Sequence, residues 1–340
     1  MPAIYYFQQF MSKAKNSILL RVPDGRWPPL VRGIIVFVVL MLLITGVIFS
    51  DDRPIVWETY EFGTQFALAV TFILIVTPII NRVHVRDLDY LLSISEMDEA
   101  EMKTWKSKIS QHYSLIIETI AAFGVALLHC YLQGYMVLFT GTPRFFYSAI
   151  WGAFQVIAMW ILITQSTSIF IRNMTLMNEL SAKVKIDLLN MERFMPLTRA
   201  GVWSILGFIG VYSILFAGGV DRIRLTDPSV LIIAPTIFWM VRTPLKGFRK
   251  RVVKEKEREL AIIDAAIEGD HEAMKASRIG ANLANINVVD LISYKRIIQT
   301  TFEIPVNIPT ASRFVFYLII PLLTWIAASM VDKIVDYLIT

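Results

Sequence analysis

The feature that most constrains this chain is a series of long runs without a single Asp, Glu, Lys or Arg. A hydrocarbon core of about 30 Å needs roughly 20 apolar residues of helix to cross it. Runs of that kind cover 33–49, 62–80, 145–171, 200–220 and 314–331. A further one spans 109–139 and is broken only by Glu118. The stretch 229–241 is shorter and carries Pro235. The chain is 55% hydrophobic and 18% charged, against about 45–50% and about 25% for soluble globular chains. A soluble enzyme, a disordered protein and a collagen-like fibre are excluded on that composition. One cysteine leaves no basis for a disulfide framework or a multi-cysteine metal site.

Charge placement decides the short stretch. Lys and Arg collect on the cytoplasmic side of bilayers. With seven crossings and the N-terminus inside, 28 of the 33 basic residues fall in inner segments and five in outer ones. If 229–241 did not cross, the thirteen bases of 242–313 would lie outside. It is therefore taken as a span, with a re-entrant hairpin of the fifth and sixth stretches as the alternative that keeps the bias. The expected fold is an all-α polytopic membrane protein with seven transmembrane helices and a cytoplasmic helical layer. Its divisions are an amphipathic segment over 1–32, six spans over 33–241 with cytoplasmic extensions at 84–112 and 172–199, a cytoplasmic helical segment over 242–312, and a last span with a short outer tail over 313–340. The N-terminus lacks signal-peptide order, because Lys13 and Lys15 follow the apolar part. Ile4, Phe7, Met11, Ala14 and Ile18 recur at helical spacing instead. Such a helix lies in the inner interface or packs on the protein's own cytoplasmic layer.

Two regions predict helices beyond the bilayer. No Pro or Gly lies between Ala153 and Met195, so a single helix is expected from about Phe145 to Met195, where Pro196 ends it. Met177, Val184, Leu188, Met191 and Met195 recur along it at heptad-like spacing and form a candidate oligomer seam. In 242–313, Val253, Lys256, Leu260, Ile263 and Ile267 share one helical face, and Gly269 with Asp270 marks the stop. A further helix is expected with Leu291, Tyr294, Ile297 and Ile298 inward. The acidic loop 84–112 faces the same side, and acidic and basic inner loops can meet there. Arg249, Lys250, Arg251 and Lys254 mark the membrane exit and are candidate contacts for anionic lipid head groups. The same run also serves as a topology determinant. A segment held at the membrane surface leaves no case for nucleic acid.

Ionisable residues inside a membrane are functional candidates by default. Glu118 and His129 are 11 residues apart and share a helix face, with Gln133 one turn on. Gln155 and Gln165 of the fourth span can face them. This stripe has two readings: a water-filled or proton-conducting path, or interhelical hydrogen bonds that hold the bundle. Enzyme chemistry is weighed down by what is missing. Asp87-Leu-Asp89 alone is too little for a metal–phosphate site, and no phosphate-cradling Gly-rich loop or nucleophile elbow occurs. No catalytic residue, metal or cofactor is expected.

Thr243-Pro-Leu-Lys-Gly-Phe-Arg, then Lys256, Glu259-Leu260 and Ile267, together with Glu303-Ile-Pro, Arg313-Phe314, Tyr317, Pro321-Leu322 and Trp325, resemble a pattern in an uncharacterised family of bacterial multi-pass inner-membrane proteins. The resemblance covers mainly the last hundred residues and implies a location in that membrane, with no activity attached. In topology alone the layout is similar to the seven-helix insect chemoreceptor channels, whose last-helix motif is missing here. The leading expectation is a homo-oligomeric channel assembled through its cytoplasmic helices. The alternatives are a membrane sensor or scaffold binding protein partners through the same layer, and a proton-coupled transporter using Glu118 and His129.

Overall fold

In a computed structural model of the chain, the described residues are 28–50, 57–110, 116–132, 146–215, 235–236, 238–240, 242–243, 245–270, 272, 288–303 and 305. They are helical, with no strand among them; the sole bridge described joins Ser95 to Val184. The helices are α1 (Pro29–Ser50), α2 (Trp57–Ser93), α3 (Glu99–Ser110), α4 (Ile116–Leu132), α5 (Phe146–Ser181), α6 (Met195–Leu215), α7 (Lys246–Ile267) and α8 (Val288–Thr300). Stretches within α1, α2, α5 and α6 are long and apolar enough to cross a membrane, and α4 is a shorter apolar helix. Residues 235–236, 238–240 and 242 are helical, and Met240 is fully buried in the bundle core. The expected amphipathic helix in 1–32 and the span 314–331 lie outside the described residues.

Two large cores and a smaller cluster between α4 and α5 organise the described residues. The first joins Ile44 of α1, Phe66, Ile73 and Ile80 of α2, Met159 and Phe170 of α5, and Ile205 and Phe208 of α6. The outward faces of α1 and α4 carry Leu42, Phe49, Ile117 and Leu128, all exposed. Apolar inside and out, these helices need a lipid solvent rather than water. Gly207 and Gly210 let α6 close on α2. A Cβ on Gly207 would stand 2.7 Å from Ile80 Cδ1, and one on Gly210 would overlap the Phe72 ring.

The second core is built at the C-terminal ends of α2 and α5. At 37 and 36 residues they are roughly 55 Å long at 1.5 Å per residue. Leu88, Leu91 and Leu92 of α2 and Met177 and Leu180 of α5 pack there with Phe194, Leu197, Phe248, Val252, Ile263, Leu291 and Ile298. This is a polar-surfaced layer with its own apolar interior. Its seams carry the pairs Lys108–Glu179, Lys183–Glu101, Lys185–Glu96 and Arg249–Glu303. The acidic 84–112 segment thus forms its ion pairs with the end of α5, and it also meets the basic 242–313 segment through Glu96 and Arg251 and in the shared core.

The single helix expected from Phe145 to Met195 is not formed. α5 stops at Ser181, and a short 3-10 turn over Met191–Phe194 precedes α6. Helix ends leave carbonyls that need donors, and a donor is supplied from outside. The Arg251 guanidinium donates to the carbonyls of Ser181 and Val184, while Glu96 N–H donates to Lys183 O. The heptad-like spacing therefore does not describe a helical seam. Met177, Val184 and Leu188 are buried in the chain's own second core, and Met191 packs against it; Met195 is half-buried at the start of α6. None of the buried three is available to a second copy.

α7 and α8 form an antiparallel pair. α7 ends at Ile267, and Gly269 takes φ 102° in the stop, as the Gly269-Asp270 signal implies. Its inward face is Phe248, Val252, Glu259, Ile263 and Ala266, a turn's fraction away from the expected stripe. Glu259 is tolerated inside because Tyr294 Oη donates to its carboxylate at 3.0 Å. Leu291, Tyr294 and Ile298 face inward on α8, whereas Ile297 is exposed. Lys256 Nζ donates to the carbonyls of Gln299 and Thr301, closing the end of α8.

Candidate functional site

The polar groups that the structure gathers most tightly lie between α2, α5 and α6. On α2, Thr77, Asn81, His84 and Asp87 follow one another at spacings of four and three, so they line one side of the helix. On α5, Gln155, Ser166 and Asn173 are 11 and 18 residues apart, which is close to three and five whole turns. α6 contributes Arg199, the Ala200 carbonyl and Ser204. Thr77, His84, Asp87, Gln155, Ser166, Asn173 and Ser204 are all buried.

The side chains form three hydrogen-bonded sets, stacked like rungs along the seam. Thr77 and Ser166 share a hydrogen bond of 2.8 Å. Asn173 Nδ2 donates to Asn81 Oδ1 at 2.8 Å and approaches His84 Nδ1 at 3.5 Å. His84 Nε2 lies 3.2 Å from the Ala200 carbonyl and 3.4 Å from Ser204 Oγ. A carbonyl only accepts, so this contact assigns the proton to Nε2 and leaves Nδ1 as the acceptor for Asn173. One turn on, the Arg199 guanidinium grips both carboxylate oxygens of Asp87. Asp87 is 1% exposed and Arg199 43%, so the carboxylate is sealed inside and the cation faces outward.

Above the Thr77–Ser166 rung the ladder gives way to a cavity of about 20 Å³ bordered by Phe72, Val76, Ser166, Gly207 and Tyr212. About 10–15 Å³ is the least that holds a water, which also needs polar partners; Thr77, Ser166 and Thr167 lie in its wall. Further up the same face of α5, the buried Gln155 Nε2 has no hydrogen-bond partner. From Gln155 to Asn173 is about 27 Å of helix at 1.5 Å per residue, close to the thickness of a hydrocarbon core. Polar groups in such a setting are expensive and draw water, protons or partners.

The stripe expected from sequence is distributed differently. α4 packs chiefly on α5, through Ala126, Cys130, Val156 and Trp160. His129 Nδ1 accepts from Trp160 Nε1 at 2.9 Å, and Gln165 Nε2 donates to Thr119 Oγ1 at 2.9 Å. Glu118 is half-buried on α4. Gln155 does not join them, since it belongs to the other face of α5; Gln133 lies outside the described residues. The basic tetrad at the membrane exit is also divided. Arg249 pairs with Glu303 and Arg251 with two carbonyls, and burial pushes the Arg251 guanidinium below its usual pKa, against Glu255 and Glu96. Lys250 and Lys254 are exposed, in line with exposed Lys246 at four-residue spacing.

Sequence reasoning passed over Asn81, His84, Asn173, Arg199 and Ser204, and weighed Asp87 only as part of a metal–phosphate pattern. The signal was present as the three- and four-residue spacing along α2. Asp87 and Asp89, adjacent in the motif-like Asp-Leu-Asp, diverge: the first is buried and the second exposed. Among the described residues no group of three His, Cys, Asp or Glu can hold a metal. Comparison with known proteins returns no match, whether to a family model, a curated protein or a solved structure.

Proposed function

We propose that this is a membrane protein of the channel type that passes protons along the α2/α5/α6 seam. The observation that carries the reading is the line of buried polar sets along the seam, Thr77 with Ser166, then Asn81, Asn173 and His84, then Asp87 with Arg199, set between three helices apolar enough to cross a bilayer. Hydroxyl and imidazole groups and enclosed water relay protons, with the Asn81 and Asn173 amides orienting them, and room for one water is too little for a hydrated metal cation. The layout adopted with this reading has seven spans, the N-terminus inside and the second core in the cytoplasm of a bacterial cell, on the strength of the basic-residue bias. In that layout Asp87–Arg199 is the cytoplasmic mouth. Lys246, Lys250 and Lys254 then meet anionic head groups.

The test is proton flux into vesicles loaded with a pH-sensitive dye. Purified protein should raise the flux above that of empty vesicles, and Asn173→Leu, which removes the amide joining Asn81 to His84, should return it to that level. A wild-type flux equal to that of empty vesicles contradicts the reading.

A second reading, a scaffold or an oligomer held through the cytoplasmic layer, is favoured by one feature. Val289, Ile292 and Ile297 are exposed on α8, a helix of the polar-surfaced layer. Cross-linking from a cysteine placed at Ile292 would distinguish a second copy from another protein.

A further inference from the structure

α2 runs through both large cores, and it carries Pro78 in its interior. Proline has no N–H to give the carbonyl of Leu74, four residues back, and its ring crowds that carbonyl. Sharp bends in long helices fall at such points. The arms on either side of Pro78 are held by different partners. On the C-terminal arm, Asn81 and His84 meet Asn173, His84 meets the Ala200 carbonyl, and Arg199 grips Asp87. Leu88, Leu91 and Leu92 of the same arm lie in the second core. That arm is fixed to α5 and α6. The N-terminal arm closes tightly on α1, where Gly33 lies against Ile75 and Gly63 against Ile44, and Thr71 Oγ1 reaches the Gly33 carbonyl.

Toward α5 and α6 the N-terminal arm is fitted more loosely. The cavity of about 20 Å³ lies at its last turn before Pro78, between Phe72, Val76 and Thr77 and the facing Ser166, Gly207 and Val211. Gly207 and Gly210 give α6 a surface without side chains on both sides of the break, against Ile80 and Phe72. The Thr77–Ser166 hydrogen bond of 2.8 Å crosses right beside Pro78. Higher up, where Phe66 stands edge-on to Trp151 at 6.3 Å, Trp151 Nε1 and Gln155 Nε2 are buried with no hydrogen-bond partner. Native proteins seldom strand buried donors. We propose that α2 is hinged at Pro78: α1 and residues 57–77 swing as one arm over α5 and α6, and the second position of the arm lets water reach those two donors. The glycine face of α6 is the sliding surface, the cavity is the clearance, and Thr77–Ser166 is the catch that holds the position seen here. The hinge does not depend on the reading of the seam as a proton path.

Paired spin labels on protein in vesicles read the swing. They sit at Phe49→Cys on α1 and Tyr147→Cys on α5, both exposed, in a protein whose native cysteine is replaced by Cys130→Ala. The expected result is two label-to-label distances, or one broad spread. Pro78→Ala restores the missing N–H and should leave a single narrow distance. A single narrow distance with Pro78 present, or a spread that survives Pro78→Ala, overturns the hinge. If Pro78→Ala does not fold, Thr77→Val carries the test. It releases the catch, so the second distance should gain population, and an unchanged distribution overturns the hinge. Proton flux is read in neither measurement, so the hinge and the proton path stand or fall separately.

Discussion

α5 presents two polar seams to its neighbours, and they differ in depth and in reach. Toward α4 it offers Trp160, which donates to His129, and Gln165, which donates to Thr119. Around them α4 leaves Ile117, Ile120 and Leu128 exposed. Toward α2 and α6 it offers Gln155, Ser166 and Asn173, which are buried; Ser166 bonds Thr77, and Asn173 joins Asn81 and His84, which also meets α6. Isolated interhelical hydrogen bonds in membranes contribute modestly and serve as glue. A linked set sealed from lipid has more at stake, because removing one member strands the others. The number of polar residues on a helix thus says less than whether they share partners.

The largest expected effect breaks the seam at its charged end. Arg199→Leu leaves Asp87 buried without a counter-ion and should cost about 3 kcal/mol, the low end for a broken buried pair because Arg199 is partly exposed. Denaturant unfolding in detergent measures it, and a change near zero would mean the pair does not hold the helices. Asn173→Leu should cost about 1–3 kcal/mol by stranding the Asn81 carbonyl and His84 Nδ1. A similar loss, about 1–3 kcal/mol, is expected for Gly210→Ala, since the added methyl meets Phe72 and must push α6 from α2; an unchanged melting temperature would show the ring turning aside into the cavity. On the α4 side, Trp160→Phe keeps a ring in the α4/α5 cluster while removing the bond to His129, and should cost about 0.6 kcal/mol for that bond. A loss there as large as for Asn173→Leu would erase the distinction between the two seams.

Much of the bundle is legible in the sequence, since charge-free runs of helical length have one stable solvent. Four of the expected spans correspond to helices of spanning length and a fifth to the shorter α4. The stop of α7 at Gly269 is legible for a local reason, the positive φ that glycine adopts freely. The end of α5 is not. Nothing within 177–195 breaks a helix; the break is made by Arg251, some 70 residues away in the chain, binding the carbonyls of Ser181 and Val184. The central seam is hidden for a related reason. Counting uncharged residues ends the second span at Ile80, so His84 and Asp87 fall into the separate cytoplasmic helical extension expected over 84–112, although one helix runs unbroken from Trp57 to Ser93. Glu118 and His129 draw attention because they interrupt an apolar run, while the ladder is built from Thr, Ser and Asn, which interrupt nothing.

The two histidines give the most direct test, one on each seam. Proton flux into dye-loaded vesicles is measured for His84→Leu and His129→Leu, with folding of each checked by gel filtration. His84→Leu should reduce the flux to that of empty vesicles, and His129→Leu should leave it at the wild-type rate. Flux that survives loss of His84, or vanishes with loss of His129 alone, would contradict a proton path through α2, α5 and α6.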